Sequence, residues 1–216
     1  MKRSRQFTLQ FPERGGARQG AGRKPKGEQA LMSHAKRVAL AARHPLHVTL
    51  RVESGLRSLR TPRAHNAVRV ALAAGASRYG MRLVEYVVMT NPIHLICEAE
   101  GTVALSRGIK GLWVRIARAL NRLWSRIGAV FADRYHCRAL KSPREVRNAL
   151  NYVLQNAAHH KIHFAGPDPC SSGEWFDGWK QEWVERADCA SPFSRARTWL
   201  LTVGWRRHGL IDMLIP

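Results

Sequence analysis

The chain has 216 residues, 45% of them hydrophobic, which fits one ordinary domain with appendages, or two small ones, around a real core. Lys and Arg number 36 against 15 Asp and Glu, a formal charge of +21 that exceeds what solubility needs and points to a polyanionic partner. A membrane span needs roughly 18 consecutive apolar residues, and Arg interrupts every apolar run. Residues 1–10 are basic without the apolar stretch of a secretory signal. Cys97, Cys137, Cys170 and Cys189 form neither a CxxC pair nor a dense framework, which suits a reducing cytoplasm. Membrane, secreted and disulfide-rich classes are excluded on these grounds.

In chain order, residues 1–46 read as a basic, largely disordered arm with eleven Lys or Arg against Glu13 and Glu28. Its stretch GGARQGAGRKPKG, with Arg23, Lys24 and Lys26, resembles short basic hooks that enter AT-rich minor grooves; the plainer reading is a tail that grips phosphates without reading bases. Residues 47–52 alternate, Val48, Leu50 and Val52 against His47, Thr49 and Arg51, which predicts a half-buried strand. Thr61-Pro62 predicts a helix over 63–79. Strands are expected at 82–89 and 93–98, joined as a hairpin by Thr90-Asn91.

Residues 102–127 carry Leu105, Ile109, Leu112, Ile116, Leu120, Leu123 and Ile127 on one helical face. The opposite face carries Arg107, Lys110, Arg115, Arg118, Arg122 and Arg126, with no acid between Glu100 and Asp133. That one-sidedness favours phosphate contact over plain solubility, while Trp113 and Trp124 read as core rim. A fourth strand is expected at 130–140, with Arg134, Tyr135 and His136 on it. Ser142-Pro143 and Glu145 then start a helix to about residue 160. Its polar stripe is Asn148, Tyr152, Asn156 and His159. The strand and helix order βαββαβ predicts an α+β, ferredoxin-like antiparallel sheet with helices on one face, followed by the helix bearing Tyr152. The division expected is an arm (1–46), a domain (47–162) and a Trp-rich extension (163–216), the last with a locally acidic stretch at 164–190. There Trp175, Trp179 and Trp183 suggest a short helix that pins the extension by packing.

Three places could carry chemistry: Asn91-Pro92-Ile93-His94, the pair Tyr152/Asn156, and Arg134-Tyr135-His136. With the segments HVTLRV (47–52), YVVMTNPIHLICEAEG (86–101), LSRGIKGLWVRIARALNR (105–122) and VFADRYHCRALKSPREVRNALNYVLQN (130–156), the chain resembles the REP-associated tyrosine transposases and other single-tyrosine transposases of the HUH endonuclease class. The resemblance covers residues 45–160, and RTWLLTVGWRRHGLI (197–211) is similar as well. It implies a ferredoxin-like fold and strand cleavage in DNA transposition through a 5′-phosphotyrosine, which conserves bond energy for rejoining. It further implies Tyr152 as nucleophile, and Mg²⁺ or Mn²⁺ on His94 and Asn156 as Lewis acid at the phosphate.

The partner implied is single-stranded or hairpin DNA, with no membrane, for a monomer or homodimer located with the bacterial nucleoid. From charge rather than motif, Arg23, Lys24, Lys26, Arg107, Lys110, Arg115, Arg118, Arg122, Arg126 and Arg134 are expected to contact DNA. The family pattern is Asn-His-hydrophobic-His, and Pro92 stands where the first histidine belongs. Proline suits a strand start but offers a metal nothing, so the alternative is a catalytically inactive, transposase-derived DNA-binding protein. His159, His47 and His136 are the other imidazoles in range of a substitute role. A third class, an RNA-binding module, needs exposed strand aromatics, and the strands offer Tyr86, Phe131 and Tyr135.

Overall fold

A computed structural model describes residues 39–182 and 191–213; the arm residues Arg23, Lys24 and Lys26, and Trp183, lie outside the described residues. Strand β1 (Leu46–Leu50) buries Leu46, Val48 and Leu50 and leaves His47 and Thr49 half-buried on its other face, as the alternation predicts. Helix α1 (Pro62–Ala73) starts as read, with Thr61 capping the Ala64 amide at 3.4 Å and Pro62 in the first turn.

It stops six residues earlier than expected. Tyr79 and Gly80 both take positive φ (58° and 73°) and form a two-residue turn. That turn makes Ser77–Arg78 a short edge strand, β2, paired with β3 (Met81–Val88). Strands β3 and β4 (Ile93–Ala99) form the expected hairpin, with a bulge between Leu83 and Glu85.

Helix α2 (Thr102–Leu123) buries Leu105, Ile109, Leu112, Ile116 and Leu120, the face its spacing predicts. It ends before Ser125 (φ 50°), so Ile127, expected on the core face, is 97% exposed. The fourth long strand is shorter than expected: β5 is His136–Ala139, and Phe131 instead makes an isolated bridge with Val52. Helix α3 (Pro143–Leu154) begins with a full capping box between Ser142 and Glu145. It does not run on to residue 160. Gln155 (φ −114°, ψ 20°) interrupts it, and Asn156–His159 form a separate single turn, α4.

The sheet order is β2-β3-β4-β1-β5, antiparallel throughout. Apart from the edge strand β2, the order is βαββαβ, the ferredoxin-like α+β arrangement. One face carries α1 and α2 over Val48, Leu50, Leu83, Leu95 and Cys97. The second face is covered too: Val87 and Ile96 pack with Val146, Leu150 and Val153 of α3 and with Trp179, Leu201 and Trp205 of the extension. With both faces covered, Tyr86, Phe131 and Tyr135 are all buried, so among the described residues no strand aromatic is open for base stacking as an RNA-binding sheet requires.

From Trp175 to residue 182 the Trp-rich segment does not continue as a helix. Gly173–Trp175 is one 3₁₀ turn; Trp175 packs edge-on against Phe193 on the first core, while Trp179 joins the second and donates to the Gly173 carbonyl at 2.9 Å. The tryptophans pack, as expected, but against two different cores. Glu98 ties the last segment down. Fully buried on β4, its carboxylate pairs with Arg82 at 2.9 Å and accepts the amides of Arg197 and Thr198 at 2.7–3.0 Å. Beyond it, Leu200–Gly204 winds as a π-helix and Trp205–His208 as a 3₁₀ turn.

Candidate active site

Alternation along the strands decides which side chains meet α3. The core-facing residues of β4 are Ile93, Leu95 and Cys97, so His94, Ile96 and Glu98 point to the other face. On β1 the same parity sends His47 and Thr49 there. The register pairs Thr49 with His94 and His47 with Ile96, which makes His47 the diagonal neighbour of His94. On the outer side, β5 pairs His136 with Thr49 and Arg138 with His47, and both β5 residues are exposed.

Two imidazoles converge there. His47 Nε2 and His94 Nδ1 lie 3.2 Å apart, and the Thr49 hydroxyl is 3.3 Å from the same His94 nitrogen. Burial lowers the His47 imidazole to about 4, with His136 and Arg138 adding to it; burial likewise lowers His94 to about 4, with His47 and His160 adding. At neutral pH each ring is uncharged and keeps one lone pair. Over the pair stands Tyr152, its ring edge-on to both, with centroids 5.3 Å from His94 and 5.8 Å from His47. The tyrosine is 40% exposed, and His159 stacks against it at 6.1 Å.

Asn91 supports this arrangement without entering it. Its amide donates to the Val52 carbonyl at 3.0 Å and accepts the Val52 amide at 3.1 Å, clasping the β3–β4 turn to the end of β1. Pro92 precedes β4, one step beyond the Leu50–Ile93 pair. It lies on the opposite side of His94 from His47. Of the three imidazoles that the sequence left open for a substitute role, His47 is the one that meets His94. The signal existed: a ferredoxin-like order makes β1 and β4 neighbours, and both histidines have the parity of the face away from α1 and α2.

The expected polar stripe of α3 is altered. Asn148, Tyr152 and His159 are exposed, but Asn156 is fully buried, because the break at Gln155 turns the next residues inward. Neither polar atom of the Asn156 side chain has a hydrogen-bond partner. An orphaned amide of this kind, one turn past Tyr152, fits the donor set expected of a cation site. Among the described residues no three His, Cys, Asp or Glu side chains cluster as a metal site, so the two imidazoles form a pair rather than a closed cage.

The expected DNA-contact residues on α2 and just after it lie away from this site. Arg107, Lys110, Arg118 and Arg122 are exposed, whereas Arg115, Arg126 and Arg134 are half-buried, with Arg115 donating to the Gly111 carbonyl at 3.2 Å. All of α2 belongs to the layer on the far side of the sheet from Tyr152. On Tyr152's own side, Arg144 and Asn148 are exposed two turns and one turn before it, and Arg138 and Lys141 are exposed nearby in the chain.

No family model and no curated protein matches the chain. Among solved structures, a REP-associated tyrosine transposase bound to a REP hairpin is similar at 18% identity and a TM-score of 0.48, over 60% of this chain and 74% of that one. A transposase from Deinococcus radiodurans R1 is similar at 14% identity and a TM-score of 0.37, over 61% of this chain and 93% of that one. No helix among the described residues is long and apolar enough to cross a membrane.

Proposed function

We propose that this protein binds single-stranded or hairpin DNA and cleaves and rejoins it through Tyr152, as a single-tyrosine transposase does. The observation that carries the reading is the position of Tyr152: an exposed hydroxyl-bearing ring set edge-on over two neutral imidazoles. The strongly basic composition supports a nucleic acid as the partner.

In the reaction, the Tyr152 oxygen loses its proton to the solvent that reaches it and bonds to the scissile phosphorus. The bond from phosphorus to the 3′ oxygen breaks, and that oxygen takes a proton from water. The product is a 5′-phosphotyrosine and a free 3′-OH, and reversal rejoins the strand. His94 and Asn156 would hold Mg²⁺ or Mn²⁺, which when bound supplies Lewis-acid polarisation of the phosphate. His159, stacked on the Tyr152 ring, restricts the rotamers from which the hydroxyl attacks.

A second reading, a transposase-derived protein that binds DNA without cutting it, is favoured by Pro92, which places no donor where the family has its first histidine. One experiment separates the two. Purified protein, Mn²⁺ and labelled hairpin DNA from the flanks of its own gene are incubated and resolved on a denaturing gel. A covalent adduct in the wild type that disappears in Tyr152→Phe is the expected result. Retarded DNA on a native gel with no adduct at all establishes the second reading, and an adduct that persists in Tyr152→Phe removes Tyr152 from the role.

A further inference from the structure

We propose that His47, from the first strand, is a metal ligand of this protein: with His94 it forms a two-imidazole site for a divalent cation of the Mn²⁺ type beneath Tyr152, in place of the ligand that Pro92 cannot provide. This deepens the reading above and rests on it for its catalytic meaning, but the binding site stands on its own geometry.

Nitrogens held 3.2 Å apart suit one shared cation. An ion about 2.1 Å from each would see them at an angle of about 100°, close to what tetrahedral or octahedral coordination asks of adjacent ligands. In the absence of metal the same two atoms can share only one proton, carried by either ring, and the Thr49 hydroxyl is a second partner of His94 Nδ1. A cation replaces that proton and engages both lone pairs.

The surroundings agree with this role. His94 is buried and His47 half-buried beside it, both within reach of the same point between the strands. Each ring is fixed by its strand rather than by a loop, and the antiparallel β1–β4 register sets their spacing. The Thr49 hydroxyl, 3.3 Å from His94 Nδ1, is a candidate for a further oxygen ligand, and waters or a phosphate oxygen fill the remainder. Two imidazoles favour Mn²⁺ over Mg²⁺, because nitrogen ligands suit transition metals better than the harder ion. The cation would sit on the Ile96 side of His94 rather than the Pro92 side, and Tyr152 touches both of its ligands.

The test is Mn²⁺ titration of the full chain, followed by electron paramagnetic resonance with spin-echo detection of coordinated imidazole nitrogen. The expected result is one site with two coordinated imidazoles in the wild type. One imidazole and at least tenfold weaker binding are expected in His47→Gln and in His94→Gln, with no change in Pro92→Ala. A wild-type spectrum without two coupled imidazoles overturns the proposal and needs no variant, so misfolding of a substituted chain does not blunt the test. Unchanged affinity and imidazole count in a folded His47→Gln protein overturn it equally. The adduct assay is separate: a Tyr152-dependent adduct with no Mn²⁺ on His47 sinks this inference alone. Mn²⁺ on both imidazoles with no adduct sinks the cleavage reading alone.

Discussion

Replacing Glu98 tests whether the C-terminal segment is part of the site's support. The carboxylate has no exposed surface, pairs with Arg82, and receives the amides of Arg197 and Thr198 just before the helical turns that carry Leu200, Leu201 and Trp205. Those three side chains pack under α3, which carries Tyr152. In Glu98→Ala the Arg82 guanidinium, itself 18% exposed, loses its partner. Breaking a buried pair costs about 3–5 kcal/mol. Arg82 and the freed amides recover part of that from water, so a loss of about 3 kcal/mol is expected. With a urea dependence of about 2 kcal/mol per molar, the unfolding midpoint should fall by about 1.5 M. Glu98→Gln keeps one acceptor oxygen and should fall between Glu98→Ala and the wild type. Limited proteolysis supplies the local readout, with cleavage within 191–213 accelerated before global unfolding. A midpoint within about 0.3 M of the wild type in Glu98→Ala, with the segment still protected, would refute this account of the clasp.

Burial pushes the Glu85 carboxyl from 4.5 up to about 8, against the opposing hydrogen bond from the Ser172 hydroxyl and with Asp177 adding to the rise. Across that window the native chain holds a proton that the unfolded chain has released. Stability therefore falls as pH climbs from about 4.5 to about 8 and levels off above. Glu85→Gln should flatten this part of the curve, read from urea midpoints between about pH 5 and pH 9; parallel curves for the two proteins would exclude Glu85 as the source. For DNA, neutralising Arg107, Lys110, Arg118 and Arg122 together should lower the salt slope of hairpin binding by up to about 3 while leaving the rate of adduct formation at saturating DNA unchanged. Arg144→Gln should lower the slope by about 1 and slow the adduct step. The opposite pattern would place the reactive strand on α2.

The sheet was legible because its signals are local. Strict alternation at 46–50, two apolar runs around a Thr-Asn turn, and an apolar stripe at helical spacing over 102–123 each specify an element from a few neighbouring residues. What escaped depends on contacts distant in sequence or on single backbone angles. The two-residue turn at Tyr79-Gly80 carries a bulky aromatic where Asn or Asp usually signals such a turn, so the helix before it was read too long. The break at Gln155 has no Pro or Gly to announce it, and it moves Asn156 from an exposed stripe to the interior. Helical spacing of Trp175, Trp179 and Trp183 implied a helix, yet Trp175 and Trp179 belong to two different cores. The Tyr152–His94 association followed from resemblance. The His47–His94 contact required strand parity and sheet order together.

The two covered faces constrain how a nucleic acid can be held. Charge counting along the chain singles out α2, because its basic residues recur at helical spacing without any acid among them. Yet α2 packs on the face away from Tyr152, and the exposed side of a helix packed on a sheet points farther away still. A strand whose phosphate meets the Tyr152 hydroxyl lies along α3 and the β5 edge, where Arg138, Lys141 and Arg144 are exposed and His136 flanks Thr49. Arg138 is already engaged by Glu145 at 2.8 Å, a pair exposed enough for a phosphate to compete for the guanidinium. The cations near Tyr152 are therefore fewer than those on α2, with Arg138 on β5, Arg144 on α3 and Lys141 between them. On the proposed function, such an arrangement would position one strand for chemistry, while α2 would offer a broad, screened attraction that gathers DNA from solution. Affinity and chemistry are thus assigned to opposite faces of one sheet, which is why substitutions on the two faces should separate in binding and in adduct formation.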